Sequence, residues 1–276
     1  LILLIQGVIN TLMYGDTEEA KIYFETMEKL LVQTRTLDRV YYHHELGWYE
    51  MLNGNAEKAL YQQKMAYEQT QQIGSPYITA EVIFGQSQAL YAINEIKQAE
   101  DLLNKVSDIA EQWESNTLRF QYGLAKSWFH QKNNKFELAV KTLATTFERA
   151  KNKGYNAFSW WLPEQISELC NLALVQNIET EFVKNFINEF HLLPPKNCMV
   201  SREWPWPIRI EALGTFNIIV HNQPLKFTSK AQHRPLDLIK VLIAMGGAGV
   251  SGEYLAEILW PDAEGDAATR SLQTTL

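Results

Sequence analysis

The chain has 276 residues, 46% of them hydrophobic and 12% aromatic, which is enough apolar material for one large or two smaller cores without covalent staples. Its longest apolar runs, residues 1–5 and 241–245, fall far short of the roughly 20 residues that a membrane span requires, and two cysteines without CxxC spacing exclude a disulfide framework. The formal charge of −7 excludes a surface that binds nucleic acid over its whole extent, because phosphate contacts require clustered Lys and Arg, so any DNA contact must be local.

No basic-then-apolar leader is present, and the chain is expected in the cytoplasm with no membrane partner. The start at Leu1 without an initiator Met, and the stop at Leu276 inside an amphipathic pattern, lead us to expect a piece of a longer protein.

Residues 1–193 read as helix throughout. Apolar residues recur at helical spacing, and Pro occurs only at Pro76 and Pro163 before Pro194 and Pro195. Breaks near Gly15-Asp16, Asn53-Gly54-Asn55, Asn94-Glu95 and Asn133-Asn134 recur about every 35 to 40 residues, each between two helices, which marks a repeat array. The clearest unit, residues 41–74, carries Leu46-Gly47 on its first helix, Gly54 in the turn, and Ala59 and Ala66 on its second. This spacing resembles the tetratricopeptide repeat, and Gly47 and Ala59 fall where paired helices approach most closely. Gly85 and Gly123 read as later counterparts of Gly47. The expected architecture is a mainly α tetratricopeptide-like solenoid.

Within the array, Trp128, Trp160 and Trp161 are candidates for a ligand or partner groove, although packing helix against helix is the commoner role of such aromatics. Trp160 and Trp161, read as adjacent on a helix, cannot both point into one core, so one of them should face a groove or a neighbouring helix. His43 and His44 project about 100° apart and cannot share a metal. Glu18-Glu19, Glu164 with Glu168, and Glu179 with Glu181 read as solvated positions, and Cys170 reads as a small core residue. No catalytic residue, metal site or cofactor is expected in these residues.

After Leu192-Leu193-Pro194-Pro195 the composition changes. Residues 194–207 read as a semi-rigid linker, since Pro cannot continue a helix and extends its predecessor. Three short strands follow, at about 208–213, 216–221 and 225–227, then a helix from about Ser229, a Gly-rich turn, a helix ending near Trp260-Pro261, and a third helix from about Asp266. Gly247-Ala248-Gly249-Val250-Ser251-Gly252 matches GxGxxG, but the residues before it have helical period, so a turn between helices is preferred to a dinucleotide site. Strands followed by three helices form the layout of an OmpR-type winged helix, so residues 208–276 are expected to be the amino-terminal part of a small α+β winged-helix module, truncated at Leu276.

The strings Trp204-Pro205-Trp206-Pro207-Ile208-Arg209-Ile210, Leu213-Gly214-Thr215-Phe216, Lys230-Ala231-Gln232, Leu259-Trp260-Pro261-Asp262 and Gly265-Asp266-Ala267-Ala268 resemble the winged-helix domain of the antibiotic-biosynthesis regulatory activators. That domain also closes large activators similar to the maltose-regulon activator, which join an ATP-hydrolysing switch domain, a helical-repeat sensor and a DNA-binding module. The resemblance implies that an ATP-binding portion lies outside this sequence, which contains no GxxxxGK[ST] phosphate loop. It also places the recognition helix from about Ala267, leaving Arg270, Ser271, Gln273, Thr274 and Thr275 for the DNA groove while Leu272 and Leu276 face inward.

The expected function is a signal-responsive bacterial transcriptional regulator. Its repeats would act as a sensor or relay, and its winged helix would bind double-stranded promoter DNA, weakly in this truncated form. RNA polymerase or another protein, and a small-molecule inducer on the repeats, are further partners of such a regulator. The alternative is a protein- or peptide-binding scaffold whose winged module serves for docking.

Overall fold

Gly and Asn at regular intervals set the architecture. A computed structural model describes residues 1–31, 34–153, 158–196, 198–220, 223–226, 233–263 and 265–276. The described chain is mainly helical, with thirteen helices and one three-stranded sheet. It divides into two compact units, 1–205 and 206–276. Among the described residues no helix is long and apolar enough to cross a membrane.

The first unit is built from helix pairs: α1 (Ile2–Met13) with α2 (Thr17–Glu28), α3 (Thr36–Leu52) with α4 (Ala56–Ile73), α5 (Pro76–Ala92) with α6 (Ile96–Gln112), α7 (Asn116–Lys132) with α8 (Phe136–Lys153), and α9 (Pro163–Val175) with α10 (Thr180–Glu189). In the three central pairs the first helices begin at Thr36, Pro76 and Asn116 and the second at Ala56, Ile96 and Phe136, a period of 40 residues. That unit is longer than the roughly 34 residues of the tetratricopeptide pattern.

Each turn within a pair places a residue in the left-handed region: Gly15 (φ 76°), Gly54 (78°), Asn94 (66°), Asn134 (57°) and Asn177 (53°), the last together with Glu179 (40°). Gly and Asn tolerate that conformation best. The next amide then closes back on the helix, as in Asn55 N to Glu50 O at 2.8 Å, Glu95 N to Leu90 O at 2.9 Å and Lys135 N to His130 O at 2.8 Å, satisfying carbonyls that the helix end leaves open. Ser75 and Ser115 cap α5 and α7, accepting from the amides of Ile78 and Leu118 at 3.4 Å.

This period corrects the register of the small residues. The counterparts of Gly47 are Ser87 and Ser127, in step with Ala59, Ala99 and Ala139, and all of these are buried. Gly85 and Gly123 are not in this register. A serine is small enough for the close approach, and its hydroxyl is satisfied by a carbonyl: Ser127 Oγ donates to Ala139 O at 2.8 Å and Ser87 Oγ to Phe84 O at 2.7 Å. A search for glycine alone therefore misplaces the repeat.

The first helices α1, α3, α5, α7 and α9 touch in succession, and each also packs against the second helix of its own pair. α5 lies at the centre. It carries a single charged residue, Glu81, and buries Val82, Ile83, Phe84 and Gly85 in consecutive positions. A helix apolar on all sides must be covered on all sides, and residues 158–162 supply part of that cover.

The stretch 194–207, which its prolines mark as a linker, is mostly anchored on the first unit. Asn171 Nδ2 donates to Met199 O at 3.0 Å, its Oδ1 accepts from Ser201 N at 2.8 Å, and Trp204 is buried in the core. One side-chain amide satisfies an otherwise unpaired backbone, and an indole provides the apolar anchor.

In the second unit β1 (Ile208–Glu211), β2 (Asn217–Val220) and β3 (Gln223–Pro224) form an antiparallel sheet in that order, with Ile208 opposite Val220 and Ile219 opposite Pro224. The third strand is shorter and earlier than its residue pattern indicates, since Leu225 continues the pairing only through its amide to Ile218 O at 2.7 Å. Phe227, Ser229 and Lys230-Ala231-Gln232 lie outside the described residues. Then come α11 (His233–Ala244), α12 (Gly252–Leu259) and α13 (Gly265–Thr275). Their shared core is Leu238, Leu255, Ala256, Leu259, Ala268 and Leu272. Arg234 Nη1 donates to Leu259 O at 2.8 Å, tying α11 to the end of α12. The GxGxxG string follows α11, not a strand, and holds Gly247 and Gly249 at φ 78° and 72°; it is a turn between helices.

Candidate functional site

Two regions carry the residues singled out by the sequence. The first is the face of α3, α5 and α7, on which the chain lays its own residues 158–162. Trp160 and Trp161 are each 1% exposed, so neither lines an open groove. The helical premise fails here: both lie outside any helix, Trp160 in a turn at φ 67°, a left-handed conformation that lets adjacent side chains enter the same core.

Trp160 wedges between α3 and α5 where both carry glycine. A Cβ on Gly85 would stand 2.5 Å from Trp160 Cε2, and one on Gly47 would stand 3.1 Å from Trp160 Cζ2. Trp160 Nε1 donates to His44 O at 3.1 Å, and Trp48 Nε1 donates to Trp161 O at 2.7 Å. Phe158 sets its ring against Phe84 and Phe120, each at 6.0 Å. Trp161 lies 4.9 Å from Phe190, between ring centroids. The space left beneath the segment, among Gln88, Gln121 and Trp160, is about 10 Å³, at the lower limit for a single water.

The repeat explains the fit. Residues 45, 85 and 125 occupy one position in three successive units. Glu45 Oε1 accepts from Ser159 Oγ at 3.0 Å, Gly85 faces Trp160, and Ala125 lines the remaining space beside Phe158. Burial pushes the Glu45 carboxyl up to about 8, against the lowering effect of Ser159 and with a further rise from Glu81. Burial likewise pushes Glu81 up to about 7, offset in part by its hydrogen bond with Tyr77. His44, fully buried with Nδ1 3.0 Å from Gln63 Oε1, is pulled down to about 4 by burial. Glu45 and Glu81 are polar residues that periodicity did not single out. The available signal was Glu81 as the lone charge of an otherwise uncharged helix.

Trp128 is half-buried, set edge-on against Tyr91 at 5.2 Å with Lys132 Nζ 5.3 Å from its ring. It borders a 220 Å³ cavity shared with Met51, Leu162 and Glu164. Glu168 pairs with Lys132 at 2.6 Å and Glu179 with Lys151 at 2.7 Å, so these acids have structural partners. His43 Nδ1 lies 2.8 Å from Gln62 Oε1. Cys170 is buried, which pushes its thiol up and leaves it unreactive.

The second region is α13. Ala268 and Leu272 are buried, while Arg270, Gln273 and Thr274 are exposed and Ser271 and Thr275 are half-buried. The hydroxyls of Ser271, Thr274 and Thr275 donate to carbonyls one turn back, at 2.9, 2.9 and 2.8 Å. The donors that α13 presents without rearrangement are therefore the Arg270 guanidinium and the Gln273 carboxamide, the two groups able to read a base edge bidentately. Arg270 forms no ion pair among the described residues. The chain matches no family model, no curated protein and no solved structure.

Proposed function

We propose that this chain is part of a signal-responsive transcriptional regulator, in which the helix pairs form a sensing or relaying solenoid and residues 206–276 belong to a winged-helix module that binds promoter DNA. The observation that carries the reading is α13. It follows α12 after a short turn, anchors itself through Ala268 and Leu272, and turns Arg270 and Gln273 outward. A helix held by its apolar stripe with bidentate donors on the opposite face has the chemistry that major-groove reading requires. No catalytic role is assigned to the chain.

The test is binding of the full-length protein to duplex DNA from its own promoter regions as a function of salt. Affinity should fall steeply as salt rises, because phosphate contacts release counterions. Absence of salt-dependent binding to any fragment would overturn the assignment.

A second reading, docking on another protein such as RNA polymerase, is favoured by the apolar side chains that the second unit exposes. Ile208 is 56% exposed, Tyr254 49% and Leu213 98%, apolar surface of the kind a partner protein covers. Under this reading DNA would have no effect on the protein, and Ile208→Glu would abolish partner capture while Arg270→Ala would not.

A further inference from the structure

A groove on the first unit concentrates positive charge in a protein that is negative overall. It runs between α7 and α8, with a volume of about 400 Å³. α7 contributes Arg119 and Lys126, and α8 contributes Lys141 and Arg149; among the described residues no carboxylate lines the cavity. The chain as a whole has 32 acidic residues to 25 Lys and Arg, yet residues 116–132 contain no Asp or Glu at all.

The cations are held in place by the fold. Arg119 forms a two-pronged contact with Glu111 at the rim, at 2.9 and 2.7 Å, and Lys126 Nζ lies 3.4 Å from Asn104 Oδ1 on α6. Lys141 and Arg149 have no ion pair among the described residues. Arg119 and Arg149 also line an adjoining cavity with Glu111, Asn116 and Asn152, so two guanidiniums share one end of the groove beside a single carboxylate. Lys126 sits two helical turns further along, about 10 Å away. Between the charged ends the floor is Phe120 and Gly123, where a Cβ would run into Thr146. His130 closes the far end. Burial, Lys126 and Lys135 hold its imidazole below the ordinary histidine value, against an opposing effect of Glu100, and its buried Nδ1 has no partner among the described residues.

We propose that this groove binds a small organic phosphate, with the phosphate on Arg119 and Arg149 and the remainder of the molecule along Phe120 toward Lys126 and Lys141. Paired guanidiniums match phosphate oxygens in geometry and charge, and the volume lies within the range of small-ligand sites. The inference gives the sensing role proposed above a ligand chemistry. It rests on that role only for its regulatory meaning, because binding is read with phosphate and not with DNA, so either can fail without the other.

The experiment is titration of the whole 276-residue chain with inorganic pyrophosphate and with AMP at low salt, followed by calorimetry and thermal shift. Saturable binding is expected to weaken at least tenfold in the Lys141→Gln/Arg149→Gln double variant. It should be unchanged in Lys58→Gln, an exposed lysine outside the groove. A melting temperature in the absence of ligand equal to that of the parent keeps the double variant interpretable. The proposal is overturned if neither compound binds at millimolar concentration, if the double variant binds as the parent does, or if hexaglutamate binds while both phosphates do not, which would make the groove a site for an acidic peptide.

Discussion

Replacing Trp160 with alanine is expected to cost the first unit about 3–5 kcal/mol, the range for removing a large aromatic from a packed core. The side chain is almost fully buried, fills the gap that Gly47 and Gly85 leave between α3 and α5, and donates to His44 O. Gly85→Ala should also destabilise, by about 1–3 kcal/mol, because its Cβ is driven against an indole held on all sides. The two effects should not add. Once Trp160 is gone, the Cβ at position 85 still meets Gln63 Oε1 at 2.9 Å, so the double variant should lose clearly less than the sum of the two single losses. Urea unfolding of the four proteins completes the cycle. Additive losses, or a loss below about 1 kcal/mol for Trp160→Ala, would mean that residues 158–162 do not occupy the α3, α5 and α7 face.

Raising the pH from about 5 to about 8 is expected to destabilise the same face, on the order of 4 kcal/mol. Glu45 and Glu81 are held up to about 8 and about 7 in the folded chain, well above an unfolded carboxylate. Their contribution is fully present below about pH 4.5 and is lost as pH rises through those folded values. His44 has the opposite sign. Pulled down to about 4, its contribution is present above about pH 6.5 and lost as pH falls through the folded value. Between pH 5 and 8 the two carboxyls outweigh the one imidazole, so stability falls. Glu45→Gln keeps an oxygen for Ser159 and removes the titration. It should match the parent near pH 5, exceed it at pH 8 and reduce the slope between, as read from urea midpoints at each pH. An unchanged slope in Glu45→Gln would show that Glu45 does not titrate with folding.

The helix pairs were legible because their signals are local. Asn94 and Asn134 mark left-handed turns as plainly as Gly54 does, and an apolar stripe of period 3.6 needs no tertiary knowledge. What escaped the sequence depends on distant contacts. Ser87 and Ser127 take the place of glycine only because Ala99 and Ala139 stand in register with them. Trp160 and Trp161 read as helical because adjacent aromatics carry no mark of a left-handed turn, and their burial is decided by glycines far away in the chain. Glu45 is buried because Ser159, 114 residues later, reaches it. Asn171 anchors a segment whose prolines look like a spacer, and nothing near those prolines announces it. In α13 the inward Leu272 and outward Arg270 followed directly from helical spacing, whereas Leu276, expected inward, is 84% exposed just past the end of the helix. The loss of Ser271, Thr274 and Thr275 as ready donors is also local, since their hydroxyls turn back onto their own helix.

The central claim is that α13 reads sequence, and the most direct measurement is selection of bound duplexes from a randomised DNA library by the full-length protein and its Arg270→Ala variant. The account predicts a defined site for the parent. Arg270→Ala should relax preference at one base pair and weaken binding to that site by about 1–3 kcal/mol. Enrichment of no sequence by the parent, or the same site selected with the same affinity by both proteins, would contradict it.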